Sequence, residues 1–124
     1  MAQEEVSVVD GVATTNIVVI EGVVKSEPSL REIGDGTHAR EFVVGTRVDG
    51  RVVNAPVVCA ESLGTSLVEG DRVFVVGMVR TRFFAAGGRT QSRTEVVASR
   101  VAGVRSKSAR TKALAEVAVH LKAM

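Results

Sequence analysis

Residues 71–93 read DRVFVVGMVRTRFFAAGGRTQSR, and their pattern decides the architecture. Val73, Phe74, Val75 and Val76 form an unbroken apolar run, which suits a strand covered on both faces. After Gly77 the pattern switches to alternation, so Met78, Arg80, Arg82 and Phe84 share one parity and point the same way. The expected strand has a buried first half and a second half that presents two guanidiniums and a ring in a row. The Gly-rich turn Ala85-Ala86-Gly87-Gly88 then returns the chain into Arg89 and Arg93. Cations beside an aromatic face suit a single-stranded polynucleotide, with charge for phosphates and a flat ring for an unstacked base.

Outward from this stretch the chain reads as further strands. Asn16 to Val24 is a first strand, broken at Ser26-Glu27-Pro28 because Pro28 fixes its own φ and extends Glu27. Leu30 to Ile33 reads as a short continuation ended by Gly34-Asp35-Gly36. His38 to Val48 is a second strand, and Asp49-Gly50 is the strongest short hairpin signal in the chain. Arg51 to Ala60 is a third, with Pro56 marking a bulge or an edge. Glu61 to Val68 is long enough for a two-turn helix and no more. The basic strand and its partner, Arg89 to Val104, complete the set. The expected class is all-β: a five-stranded OB-fold Greek-key barrel with one short helix between strands 3 and 4.

Two segments flank this domain of residues 16–104. Residues 1–15 form an N-terminal arm or add an extra edge strand through Val6 to Val9. Residues 105–124 form a basic, partly helical C-terminal extension. There Leu114, Val117, Ala118 and Leu121 fall at i, i+3, i+4 and i+7 on one helical face. A helix of this length is marginal alone in water, so it docks or frays. Docking is expected for 113–123 and a loose basic tail for 105–112.

Composition limits the function. Apolar residues make up 45% of the 124, enough to fill the core of one domain. Net charge is only +2, but its distribution is uneven. Residues 1–71 carry five basic residues against twelve acidic ones, and residues 72–112 carry ten against the single Glu95. Twelve of the sixteen cations are arginine, which favours phosphate contact and ring stacking. Such asymmetry points to a polyanion partner or to a solvated basic surface. Cys59, the one cysteine, sits in an apolar run and reads as a buried structural thiol. His38 and His120 are isolated, with Thr37-His38 read as a surface loop. No metal site, catalytic constellation or cofactor motif is present, so an enzyme is not expected. No signal peptide and no run of about 18 apolar residues is visible, so the expectation is a cytoplasmic, nucleoid-associated protein without membrane contact.

Six motifs in order now permit a comparison. Asn16-Ile17-Val18-Val19-Ile20-Glu21-Gly22 resembles the N-x-V-x-L-x-G opening of bacterial single-stranded DNA-binding proteins. Ser26 to Arg31 is similar to their D-P-E-L-R, and Phe42-Val43-Val44-Gly45-Thr46 to their F-x-L-A-T. Glu69-Gly70-Asp71-Arg72-Val73 to Gly77 resembles K-G-D-x-V-x-V-x-G. Val79 to Phe84 resembles L-R-T-R-x-[WY], and Thr94-Glu95-Val96-Val97 the closing T-E-V-V. The resemblance spans Asn16 to Val104.

It implies sequence-independent binding of single-stranded DNA by a homo-oligomer, tetramer or dimer, in replication, repair or recombination. It also places Arg80 and Arg82 at phosphate-contacting positions and Phe84 at a base-stacking one. Phe83 stands where the family often has a basic residue. Phe84 serves as a stacking platform or as a plug at the barrel rim. Arg89, Arg93, Arg40, Arg47 and Arg51 complete the candidate DNA-binding set. Phe42 and Phe74 are expected in the core.

The departures are equally specific. Asn54 and Ala60 stand where the family places rings on the third strand, and the chain has no Trp or Tyr. The hairpin at Asp49-Gly50 is short and lacks its aromatic. The family's long tail with an acidic tip is not matched, so recruitment of partners through such a tip is not expected. A second reading follows from the emptied third strand: a degenerate OB-fold interaction module resembling a replication-restart accessory factor, with little DNA binding. RNA binding through the same face is a third. The first reading requires the arginines to line a shared groove; guanidiniums that are scattered, or tied up by carboxylates, would overturn it.

Overall fold

The computed structural model describes residues 8–105 and 107–123. In chain order these form β1 (Val8–Val9), β2 (Val12–Ala13), β3 (Val18–Val24), β4 (Ser29–Gly34), β5 (Thr37–Val48), β6 (Arg51–Ala60), β7 (Arg72–Ala86), β8 (Arg89–Gly103) and α1 (Lys107–Lys122). β1 and β2 make a small separate hairpin. Val6 and Ser7, half of the expected edge strand, lie outside the described residues.

The other strands run β3-β7-β8-β6-β5-β4, and a further pairing of β3 with β5 through Val23 and Val24 closes a five-stranded barrel. Every pairing is antiparallel except that of β6 with β8. The closed barrel and its Greek-key order are consistent with the expected OB-fold. Leu30 to Ile33 is a strand in its own right, β4, hydrogen-bonded along the edge of β5. Thr37 and His38 begin β5 and are not loop. Asp49 and Gly50 both take positive φ, 50° and 77°, the type I′ turn that their sequence announces. Pro56 lies on the part of β6 paired only with β5, just before the ladder to β8 begins at Val57, so its missing N–H leaves no gap.

β7 shows why the run from Val73 to Val76 is wholly apolar. Val73 and Val75 point into the barrel core with Phe42, Val44, Val57 and Cys59. Phe74 points the other way, into a second cluster with Val104, Ala113 and Val117. Gly77 marks the change. A Cβ there would lie 2.1 Å from the Val97 carbonyl oxygen, so only glycine fits. The register slips at the same place: Val76 pairs with Arg100 but Gly77 with Ala98, leaving Ser99 as a bulge in β8.

Two expectations fail for physical reasons. Residues 61–70 form turns, bends and irregular backbone, with no helix. Leu63 donates to Ala60, Leu67 to Gly64 and Asp71 to Val68, so each bond closes a single turn. Gly64, at φ 65°, breaks any helical path between them. The C-terminal helix begins at Lys107, inside the segment expected to be a loose tail. It docks through Ala113 and Val117, while Leu114 and Leu121 stay exposed. The small Ala113 lets the helix approach Phe74, and two ion pairs, Arg110 with Glu21 and Arg100 with Glu116, fix that orientation.

Candidate nucleic-acid interface

Beyond the barrel the β7–β8 hairpin continues as a free arm. β3 pairs with β7 only as far as Gly77, and β6 with β8 only from Val96 to Ala98. Among the described residues, 78–86 and 89–95 therefore pair with one another alone. Asn16 clamps the root of the arm: its Nδ2 donates to the Val79 carbonyl at 2.8 Å, and its Oδ1 accepts from Val79 N at 2.9 Å. A side-chain amide thus imitates one more residue of β3.

Register assigns the arm's faces. Arg80 pairs with Glu95, Arg82 with Arg93, Phe84 with Gln91 and Ala86 with Arg89, and directly opposed residues share a face. Four guanidiniums, one ring and one carboxylate thus lie on one side. Phe83, paired with Ser92, lies on the other and is 71% exposed. Arg82 directly opposite Arg93 is a like-charge pair, a placement that strand stability does not favour.

Glu95 holds the arginines. It is 3% exposed, with Oε2 2.7 Å from Arg80 NH2 and Oε1 3.5 Å from Arg82 Nε. Burial pushes its carboxyl up, but the Arg80 hydrogen bond and the charges of Arg82 and Arg80 outweigh this and hold it below its ordinary value. The Arg82 contacts are at the outer limit for hydrogen bonds, so charge rather than bonding holds that side chain. Arg82 also lies 5.0 Å from the centroid of the Phe84 ring. One carboxylate between two guanidiniums leaves a net positive pair, and each guanidinium has five N–H donors. Arg80 and Arg82 remain 44% and 27% exposed.

The two arginines line a groove of about 670 Å³ together with Arg31. Ala39, Val58, Ala60 and Val97 contribute apolar surface to it. The registers Arg31–Ala39–Ala60 and Val58–Val97 show one continuous sheet face running from β4 to the arm. Arg31 is paired with Glu41 at 3.5 Å. Ala60, where the resemblance places a ring, therefore leaves open space in this groove.

The structure separates the remaining candidates. Arg40 is turned inward, donating to the carbonyls of Leu63 and Glu61 at 2.8 and 2.9 Å, and so pins the 61–64 turns. Arg47 and Arg51 fall on opposite faces of the β5–β6 hairpin, because Arg51 pairs with Val48 and Arg47 with Val52. Arg47 also donates to the Gly50 carbonyl. Arg31 and Glu95 are the residues that sequence reasoning missed. Glu95 had a signal: it is the single acid between Arg72 and Lys112, at the position that a hairpin centred on Gly87-Gly88 sets opposite Arg80.

No protein-family model matches the chain, and no curated protein matches it. Among solved structures, a Plasmodium falciparum SSB in complex with ssDNA is similar, with a TM-score of 0.60 and 19% identity. The match covers 73% of this chain and 96% of that one. At that identity the likeness shows the fold.

Proposed function

We propose that this protein binds single-stranded DNA without sequence preference, through the arginine-bearing face of the β7–β8 arm and the groove beneath it. The observation that carries the reading is the set Arg80, Arg82, Arg89 and Arg93 on one face of a free arm, with Phe84 among them and Phe83 exposed behind. Phosphates take the guanidiniums, and bases take the apolar groove and the rings. A solved structure of similar fold is that of an SSB in complex with ssDNA, which favours the same reading. With Asn54 and Ala60 in place of rings, charge supplies most of the affinity, and binding falls steeply with salt. Arg47 and Arg51 serve as outlying backbone contacts at the β5–β6 tip. The biological setting is accessory work in replication, repair or recombination. Half-exposed Val48, Val52 and Val53 on the β5–β6 hairpin suit assembly into a homo-oligomer, tetramer or dimer.

The test is fluorescence anisotropy of labelled oligo(dT) at two salt concentrations. Binding at low salt that weakens at high salt supports the reading. No binding at low salt overturns it and favours the second reading, a barrel that serves as a protein-interaction module. The hold of Glu95 on two of the arginines is the observation on that side.

A further inference from the structure

A second concentration of positive charge lies where the barrel meets α1, away from the arm. A depression there of about 120 Å³ is lined by Arg72, Val104, Arg105, Lys107 and Arg110, so four of its five residues are cationic. Among the described residues only Arg110 has a carboxylate partner within the cluster, Glu21. Arg72, Arg105 and Lys107 are exposed. The first turn of α1 contains no acidic residue and begins with a lysine. The helix dipole opposes cations at that end, so helix stability does not explain the placement. A local rule broken without a stabilising return marks a functional surface.

The position relative to the arm gives this surface an occupant. Arg72 and Arg80 lie on the same strand and at the same parity, because the bulge at Ser99 is in β8 and leaves β7 in phase. They are eight residues apart, about 26 Å along a strand. Between them Phe74 lies beneath α1.

We infer that Arg72, Arg105 and Lys107 form a second phosphate-binding surface, which engages the same single strand once it is long enough to leave the arm. The inference rests on the proposed binding of single-stranded DNA and adds a length dependence to it. A short oligonucleotide fills the arm alone. A longer one reaches the α1 surface and gains phosphate contacts there.

The test compares wild type with the double variant Arg105→Gln/Lys107→Gln in the full chain. Both residues are exposed, so the fold is kept, and a thermal melt confirms it. Labelled oligo(dT) is used at about 5 and about 16 nucleotides, near the two ends of the range for one OB barrel. The expected result is unchanged affinity for the short oligonucleotide and at least threefold weaker binding of the long one. The salt slope for the long one should drop by about 1.4, at 0.7 per phosphate contact. Equal losses at both lengths, or none at either, overturn the second surface alone. A wild type that binds neither length overturns the underlying reading as well.

Discussion

Arg80 and Glu95 face each other across the arm, NH2 to Oε2 at 2.7 Å, and the carboxylate is almost completely buried while the guanidinium is not. The acid therefore anchors the pair and the base is displayed. Arg82, two residues further along on the same face, reaches the same carboxylate. Two side chains of high rotamer entropy are thus held near the groove before any ligand arrives, which lowers the cost of ordering them on binding. The same carboxylate also subtracts charge from the surface that a phosphate would meet.

This dual role makes Glu95→Gln informative. Removing the charge while keeping the shape leaves both guanidiniums uncompensated. Affinity for oligo(dT) at low salt should rise about fivefold, the size of a surface charge interaction of ~1 kcal/mol. An anisotropy titration measures it. Weaker binding would mean that orientation of the arginines outweighs their charge.

The same residue sets an acid dependence of stability. The folded carboxyl titrates below its ordinary value, so the folded state binds its proton less readily than the unfolded one. Its contribution is complete above the unfolded value of about 4.3 and is lost as pH falls through the folded one. Wild type should therefore lose thermal stability below about pH 4.3 more steeply than Glu95→Gln does. Parallel curves in that window would show that Glu95 titrates normally.

Phe83 and Phe84 should behave differently. Phe83 is exposed and supports no core, so Phe83→Ala should leave the melting temperature unchanged. If a base stacks on it, binding weakens by about 1–3 kcal/mol. Phe84→Ala should instead loosen Arg82, which lies over its ring, and lower the salt slope. Calorimetry together with anisotropy separates the two.

Gly77 tests the barrel itself. Gly77→Ala would place a methyl 2.1 Å from the Val97 carbonyl, against backbone that cannot yield cheaply. A loss of more than about 2 kcal/mol in urea denaturation is expected. A neutral effect would mean that β7 and β8 do not cross as described.

The strands were legible because each had a local cause. Alternation, the Asp49-Gly50 turn and the Pro28 break all act over a few residues. The switch at Gly77 was visible as a change of period, though its cause, contact with Val97, lies twenty residues away. The helix expected at 61–68 failed because Gly64 punctuates it and Arg40, from β5, stabilises the turned alternative through two carbonyls. The docking face of α1 was legible only in part: Val117 packs as its spacing implies, but the face turns toward the smaller Ala113 against Phe74 and leaves Leu114 and Leu121 exposed. At the arm, parity gave Arg80, Arg82 and Phe84 one face. The pairing with Glu95 needed the register, and the inward turn of Arg40 needed the tertiary fold.

The most direct measurement is the salt dependence of oligo(dT) binding for Glu95→Gln compared with Arg80→Gln/Arg82→Gln/Glu95→Gln. Both proteins lack the buried charge, so no uncompensated carboxylate confounds the comparison. The expected result is a linear fall of log K with log salt in the first, and at least tenfold weaker binding with a slope smaller by about 1.4 in the second. Equal affinity and equal slope in the two proteins would contradict a strand held by the arm's guanidiniums.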